Sequence, residues 1–234
     1  MLARIASALV LALCAGACTA DDTTTEDPAE SADDAIIGGT TTYTYPAVGV
    51  SVNNGATGCS GTLVRPNVVL LAAHCFAANR TDVAPWAFEI RKSATESYRY
   101  PTGRGWVGDR GGAGEDDVAL LRLETPVPSS VARPLELATD YPASGNTMRM
   151  IGFGCTQRGT SNGSGTKRVI SFGWGDNKDA SCPGDSGGAL IAYPSAKLVG
   201  VISGYKNDGT HDDLFAWVPK HRAELLRQIA ALER

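Results

Sequence analysis

From residue 47 onward, short apolar runs alternate with clusters of turn-forming residues. The runs at 47–52, 60–65, 68–72, 87–91 and 118–123 read as strands, with Asn53-Asn54-Gly55 and Arg65-Pro66-Asn67 as turns between them. A second set follows at 148–153, 167–172, 188–193, 197–203 and 214–218. Residues 124–146 separate the two sets and contain Pro126, Pro128, Pro134 and Pro142, which suits a crossing linker. A helical period appears only at the end, where Leu225, Leu226, Ile229 and Leu232 share one face. Many short strands in succession predict an all-β fold, a sandwich or barrels, with a C-terminal α-helix.

The front of the chain has a different character. Arg4 followed by the apolar run 5–13 has the shape of a secretory signal peptide, too short to span a bilayer as a mature helix. Ala15-Gly16-Ala17-Cys18 then reads two ways: as an Ala-x-Ala site for ordinary cleavage, or as a bacterial lipobox in which Cys18 becomes a lipidated first residue. Either reading implies export, freely secreted or lipid-anchored at a bacterial envelope, and any membrane contact is through Cys18. Residues 19–35 contain no large apolar side chain and cannot bury enough surface to fold, so 18–35 is a tether or pro-segment behind a signal peptide at 1–17. Composition changes abruptly at Ile36-Ile37-Gly38-Gly39.

Charge follows the same division. The net charge is -4 over 234 residues, yet residues 1–35 hold seven acids against one base. The remainder carries 18 acids and 20 bases, which gives no sign of nucleic-acid binding. With 43% hydrophobic residues it can build one large domain or two small ones.

Chemistry concentrates in residues 179–188, Asp-Ala-Ser-Cys-Pro-Gly-Asp-Ser-Gly-Gly. So many glycines and prolines exclude a helix interior or regular strand. Such a stretch can turn sharply and offer backbone N–H groups to something held close. Ser186 lies in that turn, before two residues with no side chain to crowd it, and suits a nucleophile if a base and an acid come from elsewhere. His74 closes Leu-Leu-Ala-Ala-His-Cys, and Asp117 opens Asp-Val-Ala-Leu-Leu-Arg-Leu, with Asp116 as a competing acid.

Ala-Ala-His-Cys, Asp-Val-Ala-Leu-Leu and Gly-Asp-Ser-Gly-Gly, in this order, resemble the chymotrypsin/trypsin family of serine proteases. The order His, Asp, Ser sets the chain apart from subtilisin-like and α/β-hydrolase sequences. The resemblance runs from about Ile36 to the C-terminus and implies two packed antiparallel six-stranded β-barrels, at 36–130 and 131–234, with the site in the cleft between them. It implies an exported serine endopeptidase that acts on protein or peptide substrates as a monomer. His74, Asp117 and Ser186 would be catalytic, and the N–H groups of Gly184 and Ser186 would form the oxyanion hole.

The same resemblance implies a zymogen cut before Ile36, whose new ammonium would pair with Asp185. It implies a Cys59–Cys75 bridge, worth roughly 3 kcal/mol on the chain-entropy model. Outside the leader, which holds Cys14, and beyond Cys18, four cysteines alone allow three pairings; with the first bridge taken from the family, Cys155 is left to Cys182. That second bridge departs from the family's usual partner for the cysteine near the serine. The 26 residues between these two cysteines are few for the family, so a loop or small helix is expected to be missing.

For specificity the resemblance places Ala180 at the base of the pocket, where trypsin-like members carry an acid. Tyr205 stands where small-pocket members have a bulky wall, and Ser203 begins the edge that pairs with substrate backbone. The expected preference is for small aliphatic side chains, and Ala35 before Ile36 would then permit self-activation. Asp213, reaching the base from a neighbouring strand, would instead favour basic side chains.

Blander readings stand beside these. A serine in a glycine-rich loop is usually a loop residue, and a lone histidine is usually structural; three ordered motifs together make that combination rare. A catalytically silent pseudoprotease that binds without cutting is the alternative from another class of function. Residues 207–213 are acid-rich but do not fit a calcium loop, and His211 and His221 lack metal-ligand spacing, so neither a metal nor a cofactor is expected.

Overall fold

The computed structural model describes residues 36–76, 86–108, 112–176 and 178–234. The expected signal peptide, the tether, Cys14 and Cys18 lie outside the described residues.

Among the described residues, twelve strands form two antiparallel sheets of six. β2 (Val48–Asn53), β3 (Ala56–Arg65), β4 (Val68–Leu71), β5 (Ala87–Arg91), β6 (Ser97–Val107) and β7 (Ala119–Leu123) close into a barrel in the order β2-β3-β4-β7-β6-β5. The other sheet runs β1-β9-β8-β10-β11-β12. It is built from β1 (Thr40–Thr41), β8 (Thr147–Gly152), β9 (Arg168–Gly173), β10 (Ala189–Tyr193), β11 (Lys197–Tyr205) and β12 (Asp213–Trp217). This second sheet is open, with β1 and β12 as its edges. The helix α1 (Val218–Leu232) follows directly, with Pro219 in its first turn where no N–H is needed.

Two strands have no counterpart in the hydrophobic pattern. β6 contains Pro101, Gly103 and Gly105, which interrupt its alternation, and its register against β7 shifts between Thr102 and Gly105. β1 is two residues long and crosses to the second sheet, pairing Thr40 with Val169.

The apolar runs are continuous rather than alternating because the barrel strands are buried on both faces. On β4 and β7, Val69, Leu71, Leu121 and Leu123 point into the barrel, where they meet Leu63, Phe88 and Ile90. Val68, Leu70 and Leu120 point the other way, onto Ile151, Phe153, Ile191 and Leu198 from the second sheet. Leu225, Ile229 and Leu232 of α1 complete that shared core, and Leu226 packs against it half-buried. The far face of the second sheet is a third cluster built on Ile36, Met148, Met150, Leu190 and Ile202. The sheets are therefore held through a common apolar layer, and chain segments at its margin are brought into contact.

Two disulfides sit at this margin. Cys59 joins Cys75 and Cys155 joins Cys182, with Cα separations of 6.2 and 5.3 Å.

Candidate active site

β4 and β7 are antiparallel neighbours, with Leu71 opposite Ala119, so the residues just beyond these ends come together. His74 lies in the 3-10 turn Ala73–Cys75 that ends β4, and the Cys59–Cys75 bridge ties this turn to β3. Asp117 lies two residues before the start of β7. Its Oδ1 accepts the His74 backbone N–H at 2.8 Å, and its Oδ2 lies 2.6 Å from His74 Nδ1. Asp117 is buried, whereas the imidazole is one-third exposed. An ionised carboxylate only accepts, so Nδ1 carries the proton and Nε2 is left with its lone pair. Asp116 turns outward to Lys220 Nζ at 3.0 Å and His221 Nε2 at 3.3 Å, which removes it from competition for His74.

Ser186 belongs to the loop between β9 and β10, whose backbone is extensively hydrogen-bonded. Asp185 N donates to Cys182 O, Gly187 N to Ile202 O, and Gly188 N to Asp185 O. Among the described residues, the N–H groups of Gly184 and Ser186 are the two in residues 184–188 that reach no acceptor. Gly184 has φ +101°, and a Cβ there would lie 2.9 Å from Gly154 Cα, so glycine is required on both counts. Ser60, for which the sequence carried no signal, supports the loop from β3: its N–H and Oγ both donate to Gly184 O, at 3.1 and 2.8 Å. Cys75 Sγ lies 4.0 Å from Ser186 O, so the histidine turn and the serine loop are in contact.

Beneath the loop, Asp185 is fully buried. Its carboxylate accepts N–H bonds from Gly154 at 2.7 Å and Cys182 at 3.0 Å. Burial pushes its pKa up to about 7, against the opposing pull of those two N–H groups. Ile36 is fully buried in the cluster that also holds Ala180, and Ile37 N donates to Ala180 O at 2.9 Å. Ile36 has φ +42°, an unusual conformation for a β-branched residue.

The expected pocket residues divide into two groups. Ala180 is buried, and Asp213 reaches it: the carboxylate accepts Ala180 N, Ser181 N at 2.8 Å and Ser181 Oγ at 2.6 Å. Ser181 Oγ also lies 2.9 Å from Gly204 O, so the 179–181 segment and the end of β11 touch directly. Asp213 also lines a cavity of about 310 Å³ whose aromatic wall includes Phe172, Trp174, Phe215 and Trp217. Ser203 is also buried. Its hydroxyl is buried against the acid, donating to Asp117 Oδ2 at 2.6 Å and accepting Gly114 N at 2.7 Å. Tyr205 packs its ring against His211 and under the guanidinium of Arg158. Neither Ser181 nor Arg158 was singled out by sequence; Ser181 adjoins a named position, whereas Arg158 had no local signal.

A metal is not supported by the one histidine, cysteine and carboxylate cluster of suitable size among the described residues, Cys59, His74 and Cys75, because both sulfurs are in a disulfide.

The family described as trypsin matches residues 36–219, a span that includes every strand above and the first two residues of α1. The chain belongs to the trypsin family. It is a serine endopeptidase of that family, acting on protein or peptide substrates. Trypsin alpha of Drosophila melanogaster is 27% identical over 233 residues, covering 83% of this chain and 87% of the relative. Human granzyme M is 30% identical over 208 residues, covering 72% and 77%. Among solved structures, this trypsin-family chain is similar in fold to mouse neuropsin, with a TM-score of 0.66, 17% identity and coverage of 80% and 96%. A structure described as HBP gives 0.68, 18%, 83% and 96%.

Proposed function

We propose that the protein hydrolyses peptide bonds through His74, Asp117 and Ser186. In this reading His74 Nε2 takes the proton of Ser186 Oγ as Oγ bonds to the scissile carbonyl carbon. The proton then passes to the leaving amine as the C–N bond breaks, giving an acyl-enzyme. Water repeats the sequence in the second half, regenerating the serine. Asp117 keeps the imidazole in the Nδ1–H tautomer and balances the imidazolium. The free N–H groups of Gly184 and Ser186 are the donors for the oxyanion, each worth about 2.7–4 kcal/mol of barrier in comparable sites.

The observation that carries this reading is the 2.6 Å pairing of His74 with a buried Asp117. The test is labelling by a serine-directed fluorophosphonate together with peptide hydrolysis. Both should be present in the mature protein and absent in Ser186→Ala. A correctly folded parent that is neither labelled nor active would instead be the pseudoprotease.

The remaining features fit a zymogen exported behind a cleaved or lipidated leader, with halves 36–130 and 131–234 flanking the cleft. Cutting before Ile36 would release an ammonium that can pair with the buried Asp185 carboxylate. For side-chain preference, bulky Tyr205 and the absence of an acid at Ala180 favour small aliphatic residues. A second reading, basic residues, is favoured by one contact: the Asp213 carboxylate on the Ala180 N–H at 3.1 Å.

A further inference from the structure

We propose that Arg158 determines side-chain preference by occupying the deep part of the specificity pocket, in the place of a substrate's basic side chain. The proposal rests on reading Ala180, Tyr205 and Asp213 as pocket residues.

Arg158 comes from the loop between β8 and β9, yet it touches both walls of the pocket. From the wall around Ala180, Asp179 Oδ1 lies 2.5 Å from Nη1, and Ser181 O accepts Nη2 at 2.8 Å. From the opposite wall, the Tyr205 ring centroid lies 4.3 Å from Cζ. A carboxylate, a carbonyl and an aromatic face are the groups that a desolvated guanidinium prefers. The side chain is 19% exposed, so it lies largely within the protein. His211 joins the same cluster, with Nδ1 3.8 Å from Asp179 Oδ2.

The loop is anchored so that holding Arg158 there costs little entropy. Cys155 is bridged to Cys182, and its N–H donates to Pro183 O at 3.1 Å, just beyond the wall that Arg158 contacts. Thr156 N to Asn162 O at 2.8 Å closes the loop across Arg158. A guanidinium held this way competes with substrate at a high effective concentration. Long side chains are excluded from the depth of the pocket, and small ones need only its mouth. Without Arg158, the groups left behind are the Asp179 carboxylate, Ser181 O and the Tyr205 ring, a receptor for arginine.

The experiment uses mature enzyme and its Arg158→Ala and Arg158→Gln variants, assayed on fluorogenic peptides ending in Ala, Val or Arg. Parent enzyme should prefer Ala or Val. In either folded variant kcat/KM on the Arg peptide should rise at least about 10-fold, mainly through KM, with the Ala peptide changed less than about 3-fold. Binding of p-aminobenzamidine, read by fluorescence in Ser186→Ala and in the same protein carrying Arg158→Ala, should be gained only in the latter. An unchanged Arg-to-Ala ratio in both variants, or parent enzyme already cutting fastest after Arg, would overturn the proposal. A preparation inactive and unlabelled by fluorophosphonate refutes the protease reading; gain of amidine binding on removing Arg158 would still uphold the occupied niche.

Discussion

Ser203 and Asp117 share a hydrogen bond of 2.6 Å across the two sheets, one residue on β11 and the other at the entry to β7. Asp117 Oδ2 thus receives the Ser203 hydroxyl as well as facing His74 Nδ1, and Gly114 N fixes the hydroxyl in turn. The orientation of the histidine therefore depends on how the second sheet docks against the barrel. Ser203→Ala removes one donor to a buried carboxylate. We expect kcat to fall about 10-fold with KM and fold little changed, because a hydrogen bond to a charged group is worth about 1.5–3 kcal/mol and part of it is retained by the other donors. Steady-state kinetics on the best peptide substrate measures this.

Asp185 gives the uncut chain a distinctive pH response. Its pKa rises from 3.8 unfolded to about 7 folded, chiefly through burial. Between these values the folded chain holds a proton that the unfolded chain has released. Its contribution to stability is therefore complete below about pH 4 and lost as pH rises towards 7, with a slope of at most about 1.4 kcal/mol per pH unit. In Asp185→Asn that slope should vanish from chemical-denaturation curves of uncut protein. The same substitution should block the gain of activity on cleavage before Ile36; full activity in cut Asp185→Asn would refute the ion-pair mechanism.

Lys167 works in the opposite direction. It is buried at the junction of the two sheets, where Nζ donates to Tyr45 O at 2.9 Å. Burial, with a smaller contribution from Arg91, lowers its pKa from 10.5 to about 7. Between about pH 7 and 10.5 the unfolded chain binds the extra proton, so stability should rise with pH across that window. Lys167→Met should abolish the rise and make the protein more stable at pH 6, where parent protein must bury the ammonium. Denaturation midpoints at pH 6, 8 and 10 distinguish the two proteins.

The Cys155–Cys182 bridge closes a span of 27 residues that includes β9 and Arg158. Replacing both cysteines by serine should cost roughly 3–4 kcal/mol on the chain-entropy model. It should also free the loop that carries Arg158, so that a larger relative gain on Arg peptides than on Ala peptides accompanies the loss of stability. Thermal unfolding and the same peptide set measure both effects.

What sequence alone determined about this protein is what is written locally. The apolar runs marked ten of the twelve strands among the described residues, most plainly where both faces are buried as in β2, β4 and β10, and the period in Leu225, Ile229 and Leu232 marked α1. His74, Asp117 and Ser186 stood out because each sits in a short motif with an unusual local composition. β6 escaped notice because its partners on both sides supply the hydrogen bonding that tolerates Pro101 and two glycines, and such partners are remote in sequence. Only the tertiary structure turned Asp116 outward to α1, aimed the Ser203 hydroxyl at Asp117, set Ser60 beneath Gly184 and laid Arg158 between Ser181 O and the Tyr205 ring. Each of these contacts joins segments that local propensity treats as independent. They are fixed by how two sheets share one apolar layer, with the Cys155–Cys182 bridge also fixing the loop that carries Arg158, and neither the docking nor the crosslink can be read from residues taken one stretch at a time.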